Sequence, residues 1–260
     1  MHPMTPVPYR VCSRRPDRAD TVSLTLRPVE GVCPPFLPGQ FTMVYAPGVG
    51  EIPISISGRA RSGGYVQTIR AVGAVSGALC RRRPGDVVGV RGPYGTAWDV
   101  PAAKGSDVVV AAGGLGLAAL RPVIRELAAH ISGYGRVSVI VGTRTPATLI
   151  YPGELARWRD RHGIDVKITV DHPDRAWKGP VGLVTRLTGP RWSRMCWPAS
   201  APRSSPSSSP PDGCASNSGY PVSCSAVESP SGRGRTPRKR VMGQPIRGFK
   251  SHLHRHYKSP

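Results

Sequence analysis

Aromatic and acidic residues are scarce in this chain: aromatics make up 6% of it, with three Phe, and 15 Asp and Glu stand against 36 Lys and Arg. Long apolar runs are missing as well, and no stretch reaches the ~18 residues of a membrane-crossing helix. Residues 1–10 lack the apolar centre of a secretory signal. Six cysteines (Cys12, Cys33, Cys80, Cys196, Cys214 and Cys224) stand without metal-ligand spacing. They argue against a zinc module and a disulfide framework, and suggest reduced thiols in the cytoplasm. Residues 1–190 hold no constellation of His, Asp and Glu suited to acid–base chemistry; His130, His162 and His172 read as surface or loop residues.

The net charge of +21 suggests a polyanion partner until it is divided along the chain. Residues 1–190 carry +11, and residues 191–260 carry +10 in little more than a quarter of the length. The excess is therefore concentrated in a segment that also differs in every other respect.

Residues 7–100 are short alternating strands broken by Pro and Gly, at 22–26, 41–45, 53–57, 65–69 and 87–90, with turn residues such as Arg83-Pro84-Gly85-Asp86 between them. The pattern predicts a small antiparallel β-barrel with one short helix at 75–82. On strand count alone, an OB-like or SH3-like binding barrel fits equally well.

Residues 104–191 change grammar. Apolar strands at 108–112, 137–141 and 166–170 alternate with helices at 117–130 and 152–161, and a third helix opens at 183–187. This predicts an α/β domain with a parallel sheet covered on both faces. Ligands of such sheets lie beyond the carboxyl ends of the strands, which places residues 113–116, 142–145 and 171–174 on one rim. Gly113, Gly114 and Gly116 follow directly on the buried strand and precede a helix, the arrangement that cradles a phosphate. Asp171 and Asp174 read as loop-capping residues, and Cys80 as packing within the short helix.

Residues 192–260 are rich in Ser, Pro and Arg, as in Ser204-Ser205-Pro206-Ser207-Ser208-Ser209-Pro210-Pro211, and read as a disordered tail. Arg, Ser, Pro and Gly have G/C-rich codons, so the change at 191–192 also fits a shifted reading frame. On that reading the α/β domain is truncated: its sheet has lost at least one strand and the closing helix, and an edge is left exposed. The basic cluster Thr236-Pro237-Arg238-Lys239-Arg240, with His252, His254 and His256, could meet an anionic surface, but nucleic acid is not expected as a partner.

Four motifs stand in order: Pro53-Ile54-Ser55-Ile56-Ser57; Arg70-Ala71-Val72-Gly73-Ala74-Val75-Ser76; Val90-Arg91-Gly92-Pro93-Tyr94-Gly95; and Ala112-Gly113-Gly114-Leu115-Gly116. Over about residues 9–191 the chain resembles the ferredoxin–NADP reductase superfamily, most nearly the electron-transfer subunits of hydrogenase, sulfite reductase and dihydroorotate dehydrogenase complexes. The resemblance implies an FAD-binding barrel followed by an NAD(P)-binding α/β domain. Pro53, Ile54, Ser55 and Ile56 would line the isoalloxazine, with the Ser55 hydroxyl near the atom that receives hydride. Gly73, Ala74, Val75 and Ser76 would cover the FAD pyrophosphate, the Ser76 hydroxyl meeting its charge, and Gly92 would end the last barrel strand. Gly113, Gly114, Leu115 and Gly116 would carry the pyrophosphate of NADH or NADPH. Arg144 and Thr145 would meet the adenosine ribose, Arg144 facing a 2′-phosphate if one is present.

Two departures matter. Relatives carry an arginine just ahead of the Ile-Ser pair to hold the FAD phosphate; Glu51 is the nearby charge here, and Arg70 is the replacement candidate. Relatives also end with a Cys-Gly-Pro stretch and, in some, four cysteines for a [2Fe–2S] cluster. Cys196 is followed by Trp197 and Pro198, and three late cysteines cannot complete such a set. No cluster and no other metal is expected. The implied reaction is hydride transfer from NAD(P)H to FAD, then electron release to a redox partner subunit or a soluble carrier. The alternatives are an FAD-binding remnant without turnover and a non-catalytic scaffold subunit.

Overall fold

The structure is a computed structural model that describes residues 5–188 and 239–242. Six antiparallel strands come first: β1 (Val7–Arg18), β2 (Thr21–Pro28), β3 (Phe41–Ala46), β4 (Gly50–Arg59), β5 (Tyr65–Arg70) and β6 (Val87–Tyr94). They close into a barrel in the order β1-β2-β5-β4-β3-β6. Period-two alternation sends Leu24, Leu26, Val44, Ile56, Tyr65, Ile69, Val88 and Val90 inward to one core. The helix α1 (Ala74–Cys80) adds Leu79 to that core. Cys80 is buried on α1, its thiol directed at the Ile69 carbonyl at 3.5 Å, and burial raises its pKa.

A parallel sheet follows, built from β7 (Asp107–Gly113), β8 (Val137–Thr143), β9 (Asp165–Val170) and β10 (Lys239–Met242) in the order β10-β7-β8-β9. The helix α2 (Gly116–Ala129) buries Leu117, Leu120, Val123, Ile124 and Leu127 in the same core as Val108, Val110 and Val139. The helix α3 (Pro152–His162) adds Leu155 and Trp158. Burying four or five large aliphatic chains along one helix stabilises it far beyond propensity, at roughly 1.5–3 kcal/mol each.

Three elements differ from expectation. The third helix is a short 3-10 segment, Val184–Thr188, that follows closely on the positive-φ Gly182. Val184 and Leu187 of that segment pack on Val109 and Ile140 across the other face of the sheet. The second is β1, whose later half is Arg-rich and shows no apolar alternation. The third is β10, which pairs Lys239, Arg240, Val241 and Met242 with Asp107, Val108, Val109 and Val110. One edge of the sheet, that of β7, is thus paired over four residues. The remaining expectations for the tail, including its late cysteines and histidines, lie outside the described residues. Among the described residues, no helix is long and apolar enough to cross a membrane.

Candidate functional site

β4 pairs with β3 from Gly50 to Ser55, whereas its ladder with β5 starts only at Ile56. The backbone of Pro53, Ile54 and Ser55 is therefore not covered by β5. From inside the barrel the Gln67 amide donates to the Ile54 carbonyl at 3.0 Å and to the Thr42 hydroxyl at 2.7 Å, which holds this stretch in place. Flipping the amide would set two carbonyl oxygens against each other, so the amide orientation is determined. The Gln67 carbonyl oxygen is left buried without a partner.

Strand alternation divides the four expected flavin-lining residues. Ile56 is fully buried in the barrel core, so its side chain lines no open face, which corrects the expectation for Ile56; Ile54 packs on the same core but stays partly exposed. Pro53 and Ser55 lie on the opposite face. Phe41 stands across from Ser55, and Tyr94 across from Phe41, their rings 6.0 Å apart. Phe41 and Tyr94 give this face an aromatic lining that sequence reading missed, because the pairing joins residues far apart in the chain.

At the start of α1 the Ser76 hydroxyl is turned inward. It accepts from the backbone N–H of Val72 at 3.0 Å and of Gly73 at 2.9 Å, and donates to the Gly73 carbonyl at 3.2 Å. This corrects the expectation of a hydroxyl that meets an anion: Ser76 shapes the 73–76 turn instead. Ala74 and Val75 form the first turn of the helix. Arg70, at the end of β5, makes an exposed ion pair with Asp20 at 3.4 Å. Gly92 sits within β6 against Tyr94 and the Phe41 carbonyl. Glu51, the residue that broke the arginine pattern, forms a two-pronged pair with Arg91 of β6.

In the second domain β7 runs into Gly113 and Gly114, Leu115 caps the helix, and α2 begins at Gly116. Gly114 has φ +50°, a left-handed conformation that favours glycine, and its N–H donates to the Gly142 carbonyl at 2.7 Å. A Cβ added at Gly113 or Gly114 would meet nothing within 4 Å, so a phosphate can approach the backbone closely here. Arg144 is exposed on the same rim, and the backbone N–H groups of Asp171 and His172 donate to the Thr143 and Arg144 carbonyls at 3.0 and 2.8 Å. Thr145 is engaged in its own turn: its N–H donates to the Thr148 hydroxyl at 3.0 Å, and its carbonyl accepts from that hydroxyl at 2.8 Å. The Asp174 carboxylate accepts from the Ala176 N–H at 3.0 Å.

A buried polar network joins the two domains, and no local signal in the sequence announces it. Arg121 of α2 donates from Nη1 to the Ser57 carbonyl at 2.9 Å, and from Nε and Nη2 to the Glu154 carboxylate at 2.6 and 2.5 Å. Its guanidinium lies 4.9 Å from the centre of the Tyr151 ring. Tyr151 has φ +55°, the only non-glycine with positive φ among the described residues, and its hydroxyl bonds Thr68 of β5. Thr68 also meets Ser23 at 2.7 Å and Ser57 at 3.2 Å. Burial alone would raise the Glu154 pKa, but the hydrogen bonds and charge of Arg121, with Arg125 and Arg157, outweigh it and hold the carboxyl below its ordinary range. A cavity of about 470 Å³ beside the network is lined by Arg15, Asp17, Tyr151, Glu154 and Arg157; it lies away from the glycine loop and Ser55.

A closed antiparallel barrel followed by a parallel sheet, with α2 seated on β4, defines a ferredoxin–NADP reductase-like fold. Among solved structures, the ferredoxin reductase in carbazole 1,9a-dioxygenase matches with a TM-score of 0.59 at 24% identity, over 70% of this chain and 55% of that one. The chain is homologous to electron-transfer subunits of larger redox enzymes. It is 40% identical over 126 residues to sulfhydrogenase 1 subunit gamma of Pyrococcus furiosus, covering 48% of this chain and 43% of that protein. It is 34% identical over 152 residues to the probable dihydroorotate dehydrogenase B (NAD(+)) electron transfer subunit of Methanocella arvoryzae, covering 58% and 51%. The chain thus spans about half the length of the curated relatives it matches. No protein-family model matches it.

Proposed function

We propose that this protein is a flavoprotein oxidoreductase that takes reducing equivalents from NADH or NADPH and passes electrons to a redox partner subunit or a soluble carrier. The observation that carries this reading is the seating of α2, which begins at the open Gly113–Gly114 turn, on β4 just past its uncovered 53–55 stretch, through Arg121 and the Ser57 carbonyl. One element therefore links the two places where the two ligands of such an enzyme would bind.

The residues fit both groups. The β4 edge at 53–55 would meet the polar rim of the FAD ring system, Ser55 would hydrogen-bond it, and Phe41 and Tyr94 would pack on its apolar area. The 73–76 turn, held open by Ser76, would receive the FAD diphosphate, with Arg91 and Arg70 as the nearby cations. Gly113, Gly114, Leu115 and Gly116 would take the diphosphate of NAD(P)H, with Arg144 and Thr145 beside the ribose. FAD, when bound, accepts a hydride and releases electrons singly, chemistry that no side chain supplies. The protein's share is alignment and exclusion of water, which explains why an acid–base pair is unnecessary. We place the protein in a reducing compartment, the cytoplasm, on the scattered spacing of its cysteines.

The test is an anaerobic visible spectrum of the purified protein, reconstituted with FAD, before and after NADH or NADPH. Absorbance near ~450 nm that bleaches with either nucleotide supports the proposal. Bound flavin that neither nucleotide reduces would favour the remnant reading, and a protein that takes up no FAD would sink both.

A further inference from the structure

We infer that Arg121 is a positioning residue for hydride transfer: it fixes the nucleotide-binding helix against the flavin-binding strand and so sets the approach of the two reacting rings. The inference rests on the flavoprotein reading above.

Arg121 lies five residues beyond Gly116, about 7.5 Å along α2 from the glycine turn. Its Nη1 donates to the carbonyl of Ser57, two residues past Ser55 on the same strand. Only 6% of Arg121 is exposed, and its other two donors grip both oxygens of Glu154 on α3. The guanidinium plane is further fixed by the Tyr151 ring, which is itself anchored to β5 through Thr68. Glycine at position 58 leaves room for the guanidinium: a Cβ there would lie 3.0 Å from Nη1, so a side chain would force Arg121 to shift. Glu154, Tyr151 and Gly58 thus converge on one side chain, and that side chain bridges the helix of one proposed ligand to the strand of the other.

A buried ion pair is a costly way to hold an interface, since well-packed apolar residues often stabilise it equally well. What the pair adds is directional: the planar fork admits one orientation of α2 relative to β4. Lysine retains the charge but cannot bond Glu154 in two places and Ser57 at once.

The test uses the FAD-loaded protein and two variants, Arg121→Lys and Glu154→Gln, the second a milder change in case the first folds poorly. FAD content and the rate of reduction by dithionite, which needs no nucleotide alignment, are expected to stay as in the parent. The limiting rate of flavin reduction at saturating NADH or NADPH is expected to fall about 10–100-fold in Arg121→Lys, and less in Glu154→Gln, with a smaller change in nucleotide affinity. A lowered Tm with the limiting rate unchanged in both variants would make Arg121 a structural residue only and overturn the inference. Failure of the parent to bind FAD, or to be reduced by either nucleotide, would instead overturn the flavoprotein reading and this assignment with it.

Discussion

Glu51 and Arg91 face each other across β3, the Arg91 Nε donating to one carboxylate oxygen at 3.2 Å while Nη2 reaches the other. The Glu51 carboxylate is thereby neutralised by a cation from β6. The charge near the proposed FAD phosphate site is close to zero as a result. Glu51→Gln would remove the negative charge that offsets that cation, and FAD binding is expected to tighten about 3–10-fold at low salt and much less at high salt. A flavin-fluorescence titration at two ionic strengths checks this. Unchanged or weaker binding would place the phosphate elsewhere.

Gly114→Val would separate binding from folding. The position demands a left-handed backbone, which costs an ordinary residue about 1–2 kcal/mol, and the added side chain would project into the open side of the turn. The barrel does not feel this change. FAD binding should persist while the KM for NADH or NADPH rises at least about tenfold, as the side chain blocks close approach of phosphate to the backbone. Steady-state kinetics with an artificial electron acceptor measures it.

Gln67→Leu probes the barrel interior. The substitution leaves the Ile54 carbonyl without one of its donors and the Thr42 hydroxyl without its buried partner. Each loss costs about 1–3 kcal/mol, and removal of the unpartnered Gln67 carbonyl oxygen returns part of it. A net destabilisation of about 1–3 kcal/mol in urea unfolding is expected. No loss of stability would mean that the hydrogen bonds from Gln67 do not hold the strand.

Acid should loosen the domain interface through Glu154. Its folded pKa lies below the ordinary 4.5, so the unfolded chain binds more protons as the pH falls through that region. The stabilisation is complete above the unfolded value and disappears as pH drops below it toward the folded one. The Tm of the parent is expected to fall more steeply between about pH 5 and 3 than that of Glu154→Gln, which has no carboxyl to protonate there. Parallel Tm curves would show that the Arg121–Glu154 pair contributes nothing in this range.

The two halves of the fold are legible because the barrel strands alternate at every second residue, the later strands are continuous apolar runs between helices that repeat at three or four, and the glycine turn follows a buried strand. What stayed hidden depends on meetings between distant residues. Arg121 sits amid apolar neighbours in a helix, where an isolated arginine reads as a solvent-facing charge; only the arrival of β4 buries it. Ser57 and Thr68 are buried for the same reason, covered by a second domain that local alternation cannot foretell. Ser76 and Thr145 were identified as ligand-facing by motif, yet each first satisfies its own turn, as short hydroxyl side chains near helix starts tend to do. Of the flavin motif, alternation alone would have sent Ile56 inward, a consequence that the resemblance obscured.

The strand β10 has a consequence for how the chain is made. Its partner β7 leaves the ribosome more than a hundred residues earlier. At roughly 5–20 residues per second, synthesis leaves the β7 edge waiting on the order of ten seconds. During that interval the nascent sheet has three strands, and the β7 flank that β10 later covers is open to a neighbouring nascent chain on the same message. The order of translation, as much as the final pairing, then governs how much of this protein is recovered in working form.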